Sequence, residues 1–574
     1  MSAFGQTSTW MGGAGNWSDT TKWDNAVAPG TSAGGSRESA LISGLGAKAE
    51  LDIDVKMALI RVRDSAELRA NKRKITRIDA GSALENNKGT VELTDCTLDV
   101  SLVTRGDGGL TKLLRTTTFT GAAIDIGNAT TVRLDTDAGN AAATLKLDGR
   151  EIINNGSLEV LNGSTIEQTG GRFVQDSGTF KTGGRYFGKN VRFFYSNGTI
   201  DGLVQLDGRG ANPGDESILE LNTEKALQVR FTGDRNILRL GMATRIGPNQ
   251  TLTVRGDTTS RGVLTFGAET SANETLVNAG TINLDGWAPA GQSARAAWLI
   301  LNGTVATLVN EGTINALKPV TKPGDTPVNS LITGNTQNKG TIVVGAGADL
   351  RFRARKDTAT INAKGGKILL GAGTEGATLI FRQDRTTPNG PIDPGFFENA
   401  GLLKGNGKVF GTVTNQGRRV GPEALSGKID IGNSIGAIEI EGDFINEGLA
   451  GDADAQGSLL VELDFSQPGS PLVDRLDVIG IASILGGRVD VGVLDASFLD
   501  ASRIGERYLF LSAITLSGPG FNDLVAPIIN NVSFELQYDY NAGAVYLAVV
   551  NAIPSPAGAG LLLGAGLLAS KRRR

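Results

Sequence analysis

Asn278-Ala279-Gly280-Thr281-Ile282, Asn310-Glu311-Gly312-Thr313-Ile314 and Asn338-Lys339-Gly340-Thr341-Ile342 are three copies of one string: Asn, any residue, Gly, Thr, then an aliphatic. Asn87-Lys88-Gly89-Thr90-Val91 and Asn154-Asn155-Gly156-Ser157-Leu158 share it. Asp176-Ser177-Gly178-Thr179-Phe180 and Ser196-Asn197-Gly198-Thr199-Ile200 vary it, and Asn399-Ala400-Gly401-Leu402 and Asn446-Glu447-Gly448-Leu449 are weaker versions. The strings return at positions 154, 176 and 196, and again, more widely spaced, at 278, 310 and 338. A unit that recurs at roughly 20–30 residues indicates a solenoid.

Each residue type in the string has a physical job. Gly reaches positive φ without steric cost and makes a corner. Asn tolerates the left-handed region and bonds nearby backbone. The β-branched residues that follow start a strand. Alternation, as in Leu158-Glu159-Val160 or Ile282-Asn283-Leu284, then sends side chains in and out by turns. Strand, corner and strand, repeated, make a coil whose unpaired backbone edges are satisfied by the next coil.

The expected fold is therefore all-β: a right-handed parallel β-helix, or solenoid, over residues 46–457. At roughly 20 residues per coil and about 4.8 Å between strands, such a stack has about 20 coils and a length on the order of 100 Å. Helix is disfavoured because each interior Gly costs about 1 kcal/mol. Val55 to Lys74, the stretch richest in Lys, Arg, Ala and Leu, is read as strand and loop, with Leu59-Ile60-Arg61-Val62-Arg63 as the strand.

Composition agrees and excludes several chemistries. Gly is 80 of 574 residues, about twice the usual share of about 7%. Histidine is absent, so Ser-His-Asp or Cys-His catalysis and His/Cys zinc sites are excluded. Cys96 is the one cysteine, which rules out a disulfide within the chain, and it reads as a small buried residue. The net charge of −4 gives no reason to expect nucleic acid as a partner.

Both ends differ from the repeat. Residues 1–45 hold three of the five Trp, in Trp10-Met11-Gly12-Gly13-Ala14-Gly15-Asn16-Trp17-Ser18-Asp19 and Lys22-Trp23-Asp24, and Pro29-Gly30 closes the segment. Bulky aromatics there suit a cap over the first coil; the alternative is a platform for stacking sugars. Residues 458–550 form a β-rich C-terminal module. Leu459, Val461, Leu463 and Phe465 alternate, as do Val489, Val491 and Val493, then Phe534, Leu536 and Tyr538, then Val545, Leu547 and Val549. Hairpin-like connections are expected, with a tight turn at Gly486-Gly487.

Residues 551–574 read as an address. Pro554-Ser555-Pro556-Ala557 opens an apolar run that extends from Ala557 to Ala569, and Lys571-Arg572-Arg573-Arg574 follows Ser570. The run is shorter than the roughly 20 residues of a comfortable span. The basic cluster fits a cytoplasmic stop. Pro motif, short apolar helix and terminal arginines together form a tripartite processing signal, as in other removable anchors. The alternative is a short buried helix with a basic surface end.

This tail resembles the bacterial PEP-CTERM class of sorting signals, with Pro554-Ser555-Pro556-Ala557 where the common form has Pro-Glu-Pro. The resemblance implies Gram-negative export, a transient inner-membrane anchor, cleavage by an exosortase-type enzyme near the Pro motif, and release to the envelope or extracellular matrix. Trp10 to Pro29 resembles the start of exported β-helical passengers. Gly432-Asn433-Ser434-Ile435-Gly436-Ala437-Ile438-Glu439-Ile440-Glu441-Gly442-Asp443-Phe444 resembles a late junction in autotransporter-like passengers, and Asp474-Arg475-Leu476-Asp477-Val478 with Gly486-Gly487-Arg488-Val489 continues that pattern. Export of this kind calls for a leader with an apolar stretch of about 7–15 residues. Met1-Ser2-Ala3-Phe4-Gly5-Gln6 has none, so a leader is expected upstream of Met1 or already removed.

No residues of the chain assemble a catalytic, cofactor or metal site by spacing. Asp452-Ala453-Asp454-Ala455-Gln456-Gly457 resembles the start of a calcium loop, but Gln stands fifth, and Leu463 rather than Glu462 falls at position 12, so a polar turn is expected. Asp52 and Asp54 share a strand face and read as solvated. Asp285, Asp349 and Asp384 are scattered. Arg351-Phe352-Arg353-Ala354-Arg355-Lys356 is a basic strand with three Arg on one face, suited to acidic glycans or simply to solvent. The expected function is a non-catalytic surface or matrix protein with a structural or adhesive role, with an exosortase-type enzyme, the inner membrane and extracellular polysaccharide as partners. The alternatives are a β-helix polysaccharide lyase or hydrolase, which needs a groove of close carboxylates or a Lys/Arg–Asp cluster, and an outer-membrane passenger followed by a barrel.

Overall fold

The structure is a computed structural model that describes residues 7–551, apart from 32–37, 138, 140, 211, 213, 268–273, 289–291, 303–305, 319–328, 356–357, 372–375, 384–393 and 433–434. The chain divides into two units, Met1–Gly334 and Asn335–Arg574. Both are parallel β-helix solenoids, and no α-helix occurs among the described residues. The short apolar helix expected after residue 551 lies outside them.

In the early part of the first unit three strands make a coil, and over residues 217–256 two do. Ser39–Ser43, Lys48–Leu51 and Val55–Met57 are followed by Leu59–Arg63, Glu67–Asn71 and Lys74–Arg77, and each pairs in parallel with its counterpart one coil on. Val55 to Lys74 is thus strand and loop, as its alternation predicts. Register partners are joined by unequal lengths of chain: Ala83 reaches Ser101 by a shorter path than Ser39 takes to Leu59, and Ile124 reaches Ile152 by a longer one. The strands keep their length while the corners absorb the difference.

In-register pairing builds the core as rows. Ala40, Ile60, Leu84, Leu102, Ile124, Ile152, Phe173, Phe193, Leu219 and Leu238 lie one above the next, all buried. Each large aliphatic in such a row contributes about 1.5–3 kcal/mol by leaving water. Phe173 and Phe193 stack with centroids 4.7 Å apart. Outward rows face the opposite problem, because stacking like residues would stack like charges. Glu50, Arg69, Glu92, Lys112, Arg133, Glu159, Lys181 and Asp201 form one such row, in which only Lys112 and Arg133 are like-charged neighbours. Arg133 and Lys181 both bind Glu159, at 2.7 and 3.3 Å. Exposed pairs of this kind add little stability, but their alternation penalises a slipped register.

The repeated Asn plays a different part from the one its turn preference suggests. In the second unit Asn338, Asn362, Asn399, Asn415 and Asn446 are wholly buried at strand ends, and none has a positive φ. Each carboxamide donates to the next: Asn338 to Asn362 at 2.8 Å, Asn362 to Asn399 at 2.7 Å, Asn399 to Asn415 at 2.9 Å and Asn415 to Asn446 at 2.8 Å. The second N–H of each donates to a main-chain carbonyl beyond the corner, for example Asn399 to Lys428 at 3.1 Å. The first unit has the same step from Asn278 to Asn310 at 2.8 Å. At Asn87 the buried residue is instead its neighbour Asn86.

The corner Gly also needs correction. Gly178 and Gly198 do have positive φ. Gly312 and Gly401 do not; a Cβ there would lie 2.1 Å from the Gly280 carbonyl oxygen and 2.2 Å from that of Gly366. Close approach of one corner to the next excludes a side chain at these two positions.

The ends are built differently. Thr7–Thr9 and Ala14–Asn16 pair with Ser39–Ser43 and Lys48–Leu51, covering the first coil. Trp10, Trp17 and Trp23 are 3%, 0% and 2% exposed and meet edge-on, with centroids 5.0 and 4.8 Å apart. Their indole N–H groups donate to the Gly13, Pro29 and Trp17 carbonyls. With their faces buried, these three indoles offer no platform for sugars. At the other end Ser458–Asp464, Arg475–Leu485 and Arg488–Asp495 still join the stack in parallel, so Gly486-Gly487 is a coil corner and not the tight hairpin turn expected. Antiparallel pairing begins with the short Leu472–Val473 against the end of Ser458–Asp464 and takes over where Ala544–Asn551 lies between Arg507–Ser517 and Val532–Asp539.

Replacing Asn399 with Ala orphans the amide of Asn362 and the carbonyls of Asn415 and Lys428. At roughly 1–3 kcal/mol per stranded group, the second unit should lose on the order of 3 kcal/mol in urea unfolding. Thr414→Ala, an outward neighbour, should change stability by less than about 0.5 kcal/mol. Equal effects would contradict the ladder's role.

Candidate functional site

The sorting-signal residues Pro554, Ser555, Pro556, Ala557, Lys571, Arg572, Arg573 and Arg574 lie outside the described residues. Among the described residues no helix is long and apolar enough to cross a membrane.

Of the acidic residues singled out in the sequence, Asp52, Asp54, Asp285 and Asp452 each close a local contact. Asp52 accepts from the Ser18 N–H at 2.9 Å and its hydroxyl at 2.5 Å, and Asp54 accepts from the Lys74 N–H at 2.9 Å. Burial pushes the Asp52 carboxyl up, but the Ser18 bonds outweigh it and hold the group below the usual range. Asp285 pairs with Arg255 at 2.6 Å. Asp349 begins the strand Asp349–Ala354, and Asp384 lies outside the described residues. In the calcium-like loop, Gln456 donates to the Leu449 and Asp452 carbonyls at 2.5 and 2.6 Å, closing the turn with its own amide. Arg419 binds Asp452 and lowers its carboxyl. This is the polar turn expected.

Arg351 and Arg353 alternate outward on their strand, and Arg382 is the register partner of Arg353 on the next coil. Arg355 follows the strand, and Lys356 lies outside the described residues. Burial, then Arg382, pulls the Arg351 guanidinium down. Cys96 is buried, with its thiol bonded to the Ala70 and Thr94 carbonyls and pushed up by burial.

A carboxylate cluster that sequence spacing did not reveal forms in the second unit. Asp474 is wholly buried and accepts from the Gly436 and Glu462 N–H groups, both at 2.7 Å. Asp430 is 7% exposed, binds Lys404 at 3.1 Å and leaves its other oxygen unbonded. Burial, and then the neighbouring carboxylates of Glu462 and Asp430, push Asp474 up to about 7 despite its two N–H bonds. Burial and Asp430 also raise Glu462, while Lys404 and Lys428 oppose the shift. Asp474 offers no atom to solvent, so it ties the chain at Gly436 to that at Glu462 and reaches no substrate. Residues 430, 462 and 474 sit in three strands or corners, and only register brings them together.

The shift has a sign. Folded Asp474 holds its proton more tightly than the unfolded chain, so its contribution is greatest below about pH 4 and falls as pH rises to about 7. The second unit should therefore unfold at lower urea at pH 8 than at pH 5, and Asp474→Asn should remove most of that difference. An unchanged difference in the variant would place the titration elsewhere.

No protein-family model matches this chain, and no curated protein matches it.

Proposed function

We propose that this chain is an exported, non-catalytic surface or matrix protein whose β-helix serves a structural or adhesive role. The observation that carries the reading is the tail: Pro554-Ser555-Pro556-Ala557, an apolar run and Lys571-Arg572-Arg573-Arg574 follow directly on the last paired strand, Ala544–Asn551. An exosortase-type enzyme cuts near the Pro motif while the apolar run holds the chain in the inner membrane. The body supports the same reading. Its inward residues are spent on stacking, and the one close carboxylate cluster described above is sealed at Asp474. Parallel main-chain pairing gives the scaffold persistence outside the cell without disulfides.

Expression of the tagged chain in its host, with and without residues 554–574, tests this. Mass spectrometry of the released product should find a C-terminus near Pro554–Ala557 for the full chain. The truncated form should fail to be anchored and processed. An intact Arg574 terminus on protein held in the cytoplasm would overturn the assignment.

A further inference from the structure

The first unit carries an open cleft of about 670 Å³. It lies where the strands Glu151–Asn154, Arg172–Gln175 and Arg192–Tyr195 begin. Gly149, Gly170, Gly171 and Gly214 contribute bare backbone to its lining. A Cβ on Gly171 would lie 2.1 Å from the Arg150 carbonyl oxygen, so that position stays bare. Three arginines, Arg150, Arg172 and Arg192, rim it from successive coils. Arg172 and Arg192 are register partners, one strand spacing of about 4.8 Å apart.

The charges do not cancel within the cleft. Glu151 is taken by Arg172 at 2.5 Å, and Glu216 by Arg235 at 2.6 Å. Arg172 also lies over the Phe194 ring, 5.4 Å from its centroid. Arg150 and Arg192 pair with no carboxylate among the described residues, and the buried Nε of Arg150 makes no hydrogen bond. A buried donor left unbonded is costly. Two unneutralised guanidinium groups therefore line a concave surface that bare glycine backbone keeps open.

We infer that this cleft binds an acidic polysaccharide, with Arg150 and Arg192 taking uronate carboxylates and Glu151 and Glu216 accepting from sugar hydroxyls. Guanidinium groups match carboxylates in fork geometry. Carboxylates in the same cleft suit a ligand that carries both anions and hydroxyl donors. They repel a polyphosphate, charged at every unit and dependent on dense cationic contacts, more strongly than a uronate polymer whose charges are spaced a sugar apart. Arginines on successive coils suit a repeating polymer over a single ion. That such a polymer meets the protein outside the cell rests on the export proposed above; the site itself does not.

Affinity electrophoresis of the purified full chain through gels containing polygalacturonate, dextran or polyphosphate tests the site. Polygalacturonate should retard the protein, and neutral dextran should not. Arg192→Ala, at an exposed position, should weaken retardation at least tenfold, Arg192→Lys should retain part of it, and Lys146→Ala on another face should leave it intact. Circular dichroism confirms that each variant is folded. No retardation by polygalacturonate, equal retardation of Arg192→Ala, or equal retardation by polyphosphate would overturn the inference. None of these outcomes touches tail processing, so the two proposals fail separately.

Discussion

Parallel pairing in register constrains every other feature of this protein. Once the main chain of one coil bonds to the next, each side chain sits about 4.8 Å above its counterpart. Rows must then be self-compatible. Aliphatic rows such as Ile342, Ile368, Leu403, Ile429, Leu459 and Val489 are so by packing. The charged row from Glu50 to Asp201 manages it by alternating sign at all but one step. Asn manages it by chemistry, since a carboxamide is both donor and acceptor and can bond to a copy of itself in either direction. That property explains why one polar residue can repeat in a dry interior, with an oxygen left unbonded where a row begins, as at Asn278. It also explains why substitutions within the row should interact with one another rather than add.

Much of this architecture is legible in the residues. The Asn-x-Gly-Thr strings carry the period, and the β-branched residues carry the strands. The strings mislead about mechanism, because Asn and Gly have strong turn preferences that here are overridden by packing. Asn399 is extended and buried, and Gly401 is dictated by a carbonyl on the previous coil. Gly486-Gly487 suggests a hairpin for the same reason: local turn chemistry does not state whether the next strand returns beside its predecessor or advances to the next coil.

Features built by register are the least legible. Arg150, Arg172 and Arg192 are about one coil apart and look like isolated surface residues until the coil lengths between them are known. Coil lengths in this protein run from the short coil that joins Phe396 to Thr412 to the much longer one that joins Ile440 to Val478, chiefly because the corners differ. The cluster of Asp430, Glu462 and Asp474 is hidden in the same way. A ruler of constant period predicts the fold correctly and misplaces its sites, which is a general feature of solenoids whose loops are free to grow.

Cross-linking at a register pair tests the stacking most directly. In a Cys96→Ser background, Thr131→Cys with Ser157→Cys joins outward positions that are direct partners on neighbouring coils. Thr131→Cys with Glu159→Cys is displaced along the strand to the next outward position. A thiol-specific bridge of about 5 Å reach, matched to the strand spacing, should close the first pair rapidly and the second poorly. Equal yields, or a faster reaction for the displaced pair, would contradict the register on which the whole account stands.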